Sequence, residues 1–600
     1  MTVMKFTQLY VAAAVSALTF STTSNAVLGP IPIYLNTEYR TDSPVIGSIA
    51  STLNFDTEDI KATGANTFID FLATVPSIGI FNPMGNVPAI FMRGGHSNHT
   101  LVLLDGVSMN SASSLNGAVE YGLSTIALND IEKVEVVKNS GSVLYGSSAV
   151  SGVINIITKK GPERENMSVS TKIGTHNSKT YDLSASTSDN EGNFIRFSHN
   201  LYATDGINAR TDDTSEEKDG TDNQTTLIKV GNQYFDFSVS RSDNKSEYDD
   251  GVNDDIDVLV GNNKLSKITT NIYHIFNDNW KISTSIIQIK NRRDESISGV
   301  TSIGDAYKRT NLTLLNNLEV DGAIMTVGLS AMDDENTTRN LKHSSKDVFI
   351  NWQKNINNLD LNTGFRHINH NKFGSRIIYN SGLAKYLDNN LKLTANYNTA
   401  FRAPSLKEVT SGTQTNALKP ETSKNINLGL SQGFTWGEAS LSLFKSQTKD
   451  RVTYLSGWPN SIYKNINMYD AKGVELSIST LIAGYSVNFD HTHSKSSDNN
   501  SEADPIRRPR NISNLTISKQ YDKFNSRMQV IKKSATKDTA DLPGYVLLNF
   551  LTNYTINKNT QATFTIKNVA DKAYITADTW NGFNYNTLGR TLETGITYHF

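Results

Sequence analysis

The stretch Val87-Pro88-Ala89-Ile90-Phe91-Met92-Arg93-Gly94-Gly95, continued by Leu101-Val102-Leu103-Leu104-Asp105-Gly106-Val107 and closed by Val153-Ile154-Asn155-Ile156-Ile157-Thr158, decides the fold. Its short apolar runs end in tight-turn signals. Asp105-Gly106 favours a type I′ hairpin, whose two central residues need positive φ. Between these pieces, Ile131-Glu132-Lys133-Val134-Glu135-Val136-Val137 alternates apolar and polar residues, and Tyr145-Gly146-Ser147-Ser148-Ala149 with Ser151-Gly152 leads into the last strand. A compact mixed α+β domain is expected, set apart from the chain that follows it.

From about residue 166 onward the pattern has period two. Phe235, Phe237 and Val239 alternate with Asp236, Ser238 and Ser240, and Val474, Leu476 and Ile478 alternate with Glu475, Ser477 and Ser479. One face meets something apolar and the other meets water. A soluble sandwich would place a second sheet on the apolar face, whereas a transmembrane barrel places lipid there and water in the lumen. Connections rich in Asn, Asp, Ser and Gly alternate between short and long. The remaining length, divided over 22 strands, leaves about 20 residues per strand plus connection, which suits tilted membrane strands of about 10 residues. The expected architecture is an all-β, 22-stranded antiparallel transmembrane barrel preceded by the small domain.

Composition narrows the function classes. Hydrophobic residues make up 37% and no mature segment approaches the roughly 20 apolar residues of a spanning helix, so helical membrane proteins are excluded. Residues 1–26 read as a secretory signal peptide, with Lys5, an apolar run from Tyr10 to Phe20, and Ser24-Asn25-Ala26 at the cleavage position. The chain has no cysteine, which leaves neither disulfides nor thiolate metal sites. Its 57 basic and 59 acidic residues are well mixed, giving net charge −2 and no footprint for nucleic acid. No nucleophile–base pairing or metal-ligand spacing points to an enzyme. The 24 Tyr and 24 Phe suit interfacial aromatic girdles, and the last strand, Leu592, Thr594, Ile596, Tyr598 and Phe600 on one face, ends on an aromatic residue.

These pieces resemble the TonB-dependent outer-membrane receptors. The matching segments are Ile90 to Gly95, Leu101 to Val107, Ile131 to Lys138, Leu144 to Lys160 and the terminal strand. The resemblance implies a signal peptide at 1–26, a periplasmic leader at 27–40, a plug at 41–165 and a barrel at 166–600 in an outer membrane. It implies pairing with the inner-membrane partner TonB through a box at Pro32, Ile33, Tyr34, Leu35, Asn36 and Thr37, which would add as a strand to the partner's sheet. Insertion by the barrel assembly machinery into outer-membrane lipid is implied by the same likeness. One departure is Lys138-Asn139-Ser140, where the family usually has Arg-Gly-Pro, so a differently shaped hairpin is expected there.

Cargo is read from the barrel. Tyr397 to Pro404, Leu418-Lys419-Pro420-Glu421, Tyr469-Asp470 with Gly473-Val474-Glu475, and Lys567 to Tyr574 with Gly589-Arg590 resemble the cobalamin receptors of the family. Haem receptors place an axial histidine after the Phe-Arg-Ala-Pro step, and none lies between Ser405 and Leu418. His367 and His370, three apart on a strand, should point to opposite faces and so cannot ligate jointly. His96, His99 and His343 are read as satisfied lumen or surface residues. Acidic clusters at Glu216 to Asp222 and Asp243 to Asp257 sit in successive loops, and the resemblance implies loop-ordering calcium held by Asp219, Asp222, Asp249 and Asp257. Direct cargo contacts are expected at the plug apices, from Asn82, Met84 and Asn86 and from Ser111, Ser113 and Asn116. The expected function is TonB-dependent import of cobalamin, handed on to a periplasmic cobalamin-binding protein. A siderophore or haem receptor is the alternative within the class, and a passive porin or adhesin barrel the alternative outside it.

Overall fold

The structure, a computed structural model, describes residues 37–41, 47–81, 88–114, 117–161, 166–212, 217–249, 259–297, 300–410, 417–455, 462–498, 507–538, 540–578 and 584–600. Twenty-two antiparallel strands follow one another from Asn166–Gly174 to Thr591–His599 and close into a barrel. Closure pairs the last strand with the first, Glu593 opposite Gly174 through to His599 opposite Ser168.

Turn chemistry explains the two unlike rims. At one rim, two-residue turns such as Asp321-Gly322, Asn357-Asn358 and Ala483-Gly484 join neighbouring strands, and both residues of each have φ between 50° and 76°. That is the type I′ geometry whose twist matches the flanking strands. At the other rim the connections are long, including 205–220, 403–420 and 568–590.

The period-two pattern sorts residues between lipid and lumen. Phe235, Phe237 and Val239 are 42%, 40% and 39% exposed on the outside, while Asp236 and Ser238 are 4% and 8% exposed on the inside. Aromatic pairs ring the short-turn rim: Phe276 on Trp280, Phe434 on Trp436, Phe524 with Tyr554 and Tyr598 with Phe600, at centroid separations of 3.9, 4.7, 4.7 and 4.8 Å. Among the described residues no helix is long and apolar enough to cross a membrane, so the crossing elements are strands.

The preceding domain fills the lumen. Its strands are β1 (Thr52–Asp56), β2 (Ile78–Phe81), β3 (Ala89–Met92), β4 (Thr100–Leu104), β5 (Val107–Ser108), β6 (Ile131–Val137) and β7 (Gly152–Thr158), and its helices α1 (Thr57–Lys61), α2 (Phe68–Thr74) and α3 (Ser142–Tyr145). The main sheet runs β1-β6-β7-β4-β5, with β4 and β7 parallel and the other pairs antiparallel. Asp105 and Gly106 close the β4–β5 hairpin with φ of 53° and 80°, as the dipeptide predicts.

Both faces of this sheet are buried, which is why β4 and β7 read as unbroken apolar runs. On one face Val102, Val134, Val136, Ile154 and Ile156 pack on Phe68, Phe71 and Leu72 of α2; on the other Leu101, Leu103 and Val153 pack on Ala149 and Val137. Leu265, Ile287 and Ile289 of the barrel wall join the first cluster, so the plug core continues into the wall.

Candidate functional site

Of the expected partner box, Pro32, Ile33, Tyr34, Leu35 and Asn36 lie outside the described residues. Thr37 is described and is clasped by the plug. Its N–H donates to Glu135 Oε2 at 2.8 Å, its hydroxyl donates to the same carboxylate, Asn155 Nδ2 donates to Thr37 Oγ1 at 2.9 Å, and Tyr145 OH donates to Thr37 O at 3.1 Å. Glu135 belongs to β6, Asn155 to β7 and Tyr145 to α3, so the three main parts of the plug meet at one residue of the leader. Hydrogen bonds to a charged acceptor contribute about 1.5–3 kcal/mol each, enough to dock this segment and few enough to undo.

One side of the plug is locked to the wall by buried charge. Glu475 accepts from Arg93 Nη2 at 2.6 Å and Nε at 3.2 Å, and Lys138 Nζ stands 3.4 Å from the same carboxylate. Lys138 thus keeps a cation where the family usually has arginine. Beside this pair, Arg402 forks onto Glu408 at 2.9 and 3.1 Å and onto Glu421 at 2.5 Å, while His99 Nε2 lies 2.7 Å from Glu421 Oε2. All of these side chains are under 9% exposed. Burial in this seam pushes the His99 imidazole below its ordinary pKa, against the pull of Glu421.

The loop rim carries an acidic cluster. Glu217, Asp219 and Asp249 each place a carboxylate oxygen within 4.8 Å of the others. Burial, with Asp219 and Glu217 facing it, pushes the Asp249 carboxyl up to about 8. Asp249 Oδ2 is buried without a hydrogen-bond partner. The structure brings Asp219 and Asp249 together as expected and adds Glu217, but it does not bring in Asp222. That residue sits in the strand Thr221–Gly231 beside inward Asn223, and the two-residue pleat turns it to the outside, where it is exposed. Asp257 lies outside the described residues.

Two of the six expected plug-apex residues, Ser111 and Ser113, are described. Asn82, Met84, Asn86 and Asn116 lie outside the described residues. Ser113 is 4% exposed, because the barrel loop after Pro404 folds over this apex: Leu406 N donates to Ala112 O at 2.7 Å and Ser405 Oγ donates to Ser114 O at 3.1 Å. Ser111 lines a cavity of about 110 Å³ beneath that loop, together with Arg309, His343, His370 and Arg402. His370 faces inward at 5% exposure whereas His367 is exposed on the other face, as their spacing requires.

On the opposite side of the plug a larger cavity of about 400 Å³ runs between α2 and the wall. Loop-rim residues such as Thr175, Gly206 and Tyr585 contribute to it, as do Asn66 and Asp70 of the plug and Tyr202, Lys533, Tyr545 and Thr565 of the wall.

The residues that seal the seam were visible in the sequence only as members of motifs. Arg93 and Glu475 are separated by 382 positions, and nothing local marks a buried acid on an alternating strand as the partner of a plug arginine. Glu217 was within reach, since it belongs to the acidic run already singled out.

Two family models cover most of the chain: "TonB-dependent Receptor Plug Domain" matches residues 44–153 and "TonB dependent receptor-like, beta-barrel" matches residues 163–569. The chain is 25% identical over 595 residues to a protein of Photobacterium profundum named Vitamin B12 transporter BtuB, covering 94% of this chain and 95% of that one. It is 23% identical over 598 residues to the like-named protein of Vibrio vulnificus, with the same coverage. Among solved structures, a mutant of the ferric enterobactin receptor PfeA of Pseudomonas aeruginosa superimposes with a TM-score of 0.78 at 17% identity, over 92% of this chain and 98% of that one. At that identity the likeness speaks for the fold alone.

Proposed function

This chain belongs to the TonB-dependent receptors of the Gram-negative outer membrane, and from that premise we propose that its cargo is cobalamin or a close corrinoid. The observation that carries the reading is the likeness to proteins named vitamin B12 transporters, which extends over 94% of this chain. The loop-rim acids and the absence of a histidine between Ser405 and Leu418 support it.

Glu217, Asp219 and Asp249 fit a calcium ion. They offer clustered oxygens, and the orphaned Asp249 Oδ2 is an acceptor that a cation would satisfy. The ion would supply positive charge that cancels the mutual repulsion of these acids. It would tie the 205–220 loop to the end of the strand Phe235–Tyr248, lowering the entropy lost when cargo binds.

Import follows from the clasp. TonB adds to the leader as a β-strand and pulls, and the first plug contacts to give way are those of Thr37 with Glu135, Asn155 and Tyr145. The plug moves most easily along the cavity side, where its ion pair among the described residues, Asp70 with Lys567, is part exposed. Cargo then passes to a periplasmic corrinoid-binding protein.

Equilibrium binding of radiolabelled cyanocobalamin to the purified protein, in calcium and in chelator, tests the reading. Saturable binding that tightens with calcium is expected. Absence of binding in both conditions overturns the cargo, and saturable binding of a ferric siderophore in its place reassigns the protein within its family.

A further inference from the structure

The 400 Å³ cavity holds a charge that the fold does not answer. Lys533, the last residue of the strand Phe524–Lys533, lines it at 7% exposure, and among the described residues its ammonium has no hydrogen bond and no ion pair. The other charges of the cavity are engaged. Lys567 lies 3.5 Å from Asp70, Glu593 accepts from Asn66 Nδ2 at 2.5 Å and stands 3.7 Å from Lys172, and Asp219 belongs to the acidic cluster. A lysine of low exposure that lines a cavity, with no acid among the described residues to answer it, suits a site that an anion completes.

The surroundings fit an anion carried by a bulky organic molecule. Tyr545 sits directly across the strand pair from Lys533, and its ring lies 4.5 Å from that of Tyr574, giving two phenols and two aromatic faces beside the ammonium. Asn66 and Thr565 also line the cavity, and their side-chain oxygens are buried without hydrogen-bond partners among the described residues. A volume of about 400 Å³ takes part of a large cargo.

We propose that this cavity is a cargo subsite in which Lys533 pairs with the phosphodiester of a corrinoid's nucleotide tail and the tail base packs on Tyr545 and Tyr574. The proposal rests on the corrinoid reading above and assigns the part of the molecule that enters on this side of the plug.

The experiment compares cyanocobalamin with dicyanocobinamide, which has the same corrin ring but no nucleotide tail and no phosphate. Wild-type protein is expected to bind cyanocobalamin at least about tenfold more tightly, the least that a charge-assisted contact contributes. Lys533→Met should remove that preference while leaving dicyanocobinamide affinity unchanged, and Lys533→Arg should retain most of it. Equal wild-type affinity for the two ligands overturns the subsite and leaves the corrinoid reading standing, with no variant needed. Equal weakening of both ligands in Lys533→Met, in protein whose barrel still shows wild-type heat-modifiable mobility, overturns it too. Wild-type protein that binds neither ligand overturns the cargo reading itself, and the subsite assignment with it.

Discussion

The two sides of the plug meet the same barrel in opposite ways. Toward the strands Glu421–Phe434 and Ile462–Ile482 the contact is dry and ionic, with Arg93, Lys138 and His99 of the plug locked onto Glu475 and Glu421. Toward the strands Phe524–Lys533, Tyr545–Asn557 and Thr560–Lys567 it is more open, with a large cavity, the part-exposed pair of Asp70 with Lys567, and the Lys533 ammonium left without a partner among the described residues. A plug fixed all round would be a stopper, and one fixed nowhere would leave a pore. The plug is tied as well by Asp105 to Lys267 and by Asp130 to Arg196, so it is held at several points around the wall and least tightly at the cavity.

The comparison can be broken most forcefully at the leader. Deleting Pro32 to Thr37 is expected to reduce energised uptake to background while cargo binding persists; uptake that continues unchanged would mean the plug is not pulled, and the passive-barrel alternative would return. Next comes Glu475→Ala, which strands Arg93 and Lys138 in a buried seam at a cost of about 3–5 kcal/mol. Because the chain has no cysteine of its own, labelling of a cysteine introduced at buried Ala149 reports release of the plug, and its rate should rise by about two to four orders of magnitude. Lys533→Met, on the open side, should leave that rate unchanged. A comparable rise there would erase the distinction between the two sides.

Smaller effects sharpen the picture at the loop rim. Wild-type cyanocobalamin affinity should increase about fivefold or more with calcium, within the ordinary range of coupling between sites, and Asp249→Asn should lose that dependence. Asp222→Asn, on the outward face of its strand, should change neither calcium dependence nor stability beyond about 0.5 kcal/mol, as read by binding and thermal melting.

The barrel was legible because its signal is periodic. Phe235-Asp236-Phe237-Ser238 states in four residues which side faces lipid, and Asp105-Gly106 states where a hairpin closes. The candidate site was legible only where it is local. Asp219 and Asp249 stand in acidic runs that announce themselves, whereas Asp222 fails because a one-residue step along a strand reverses the side chain's face. Ser113 fails for another reason: whether a plug apex is open depends on a barrel loop almost 300 residues away, and Ser405 lies 291 positions from the Ser114 carbonyl it binds. Lys533 has no sequence signature at all, since its meaning is the absence of a neighbour.

The pairing that closes the barrel also ties it to the plug. The first strand, Asn166–Gly174, meets the last, Thr591–His599, over seven facing positions, and Glu593 of that seam takes a hydrogen bond from Asn66 inside the lumen. The wall therefore seals against a residue of its own cargo gate. Glu593 also stands 3.7 Å from Lys172 of the first strand, so one carboxylate ties the closing seam both to itself and to the plug.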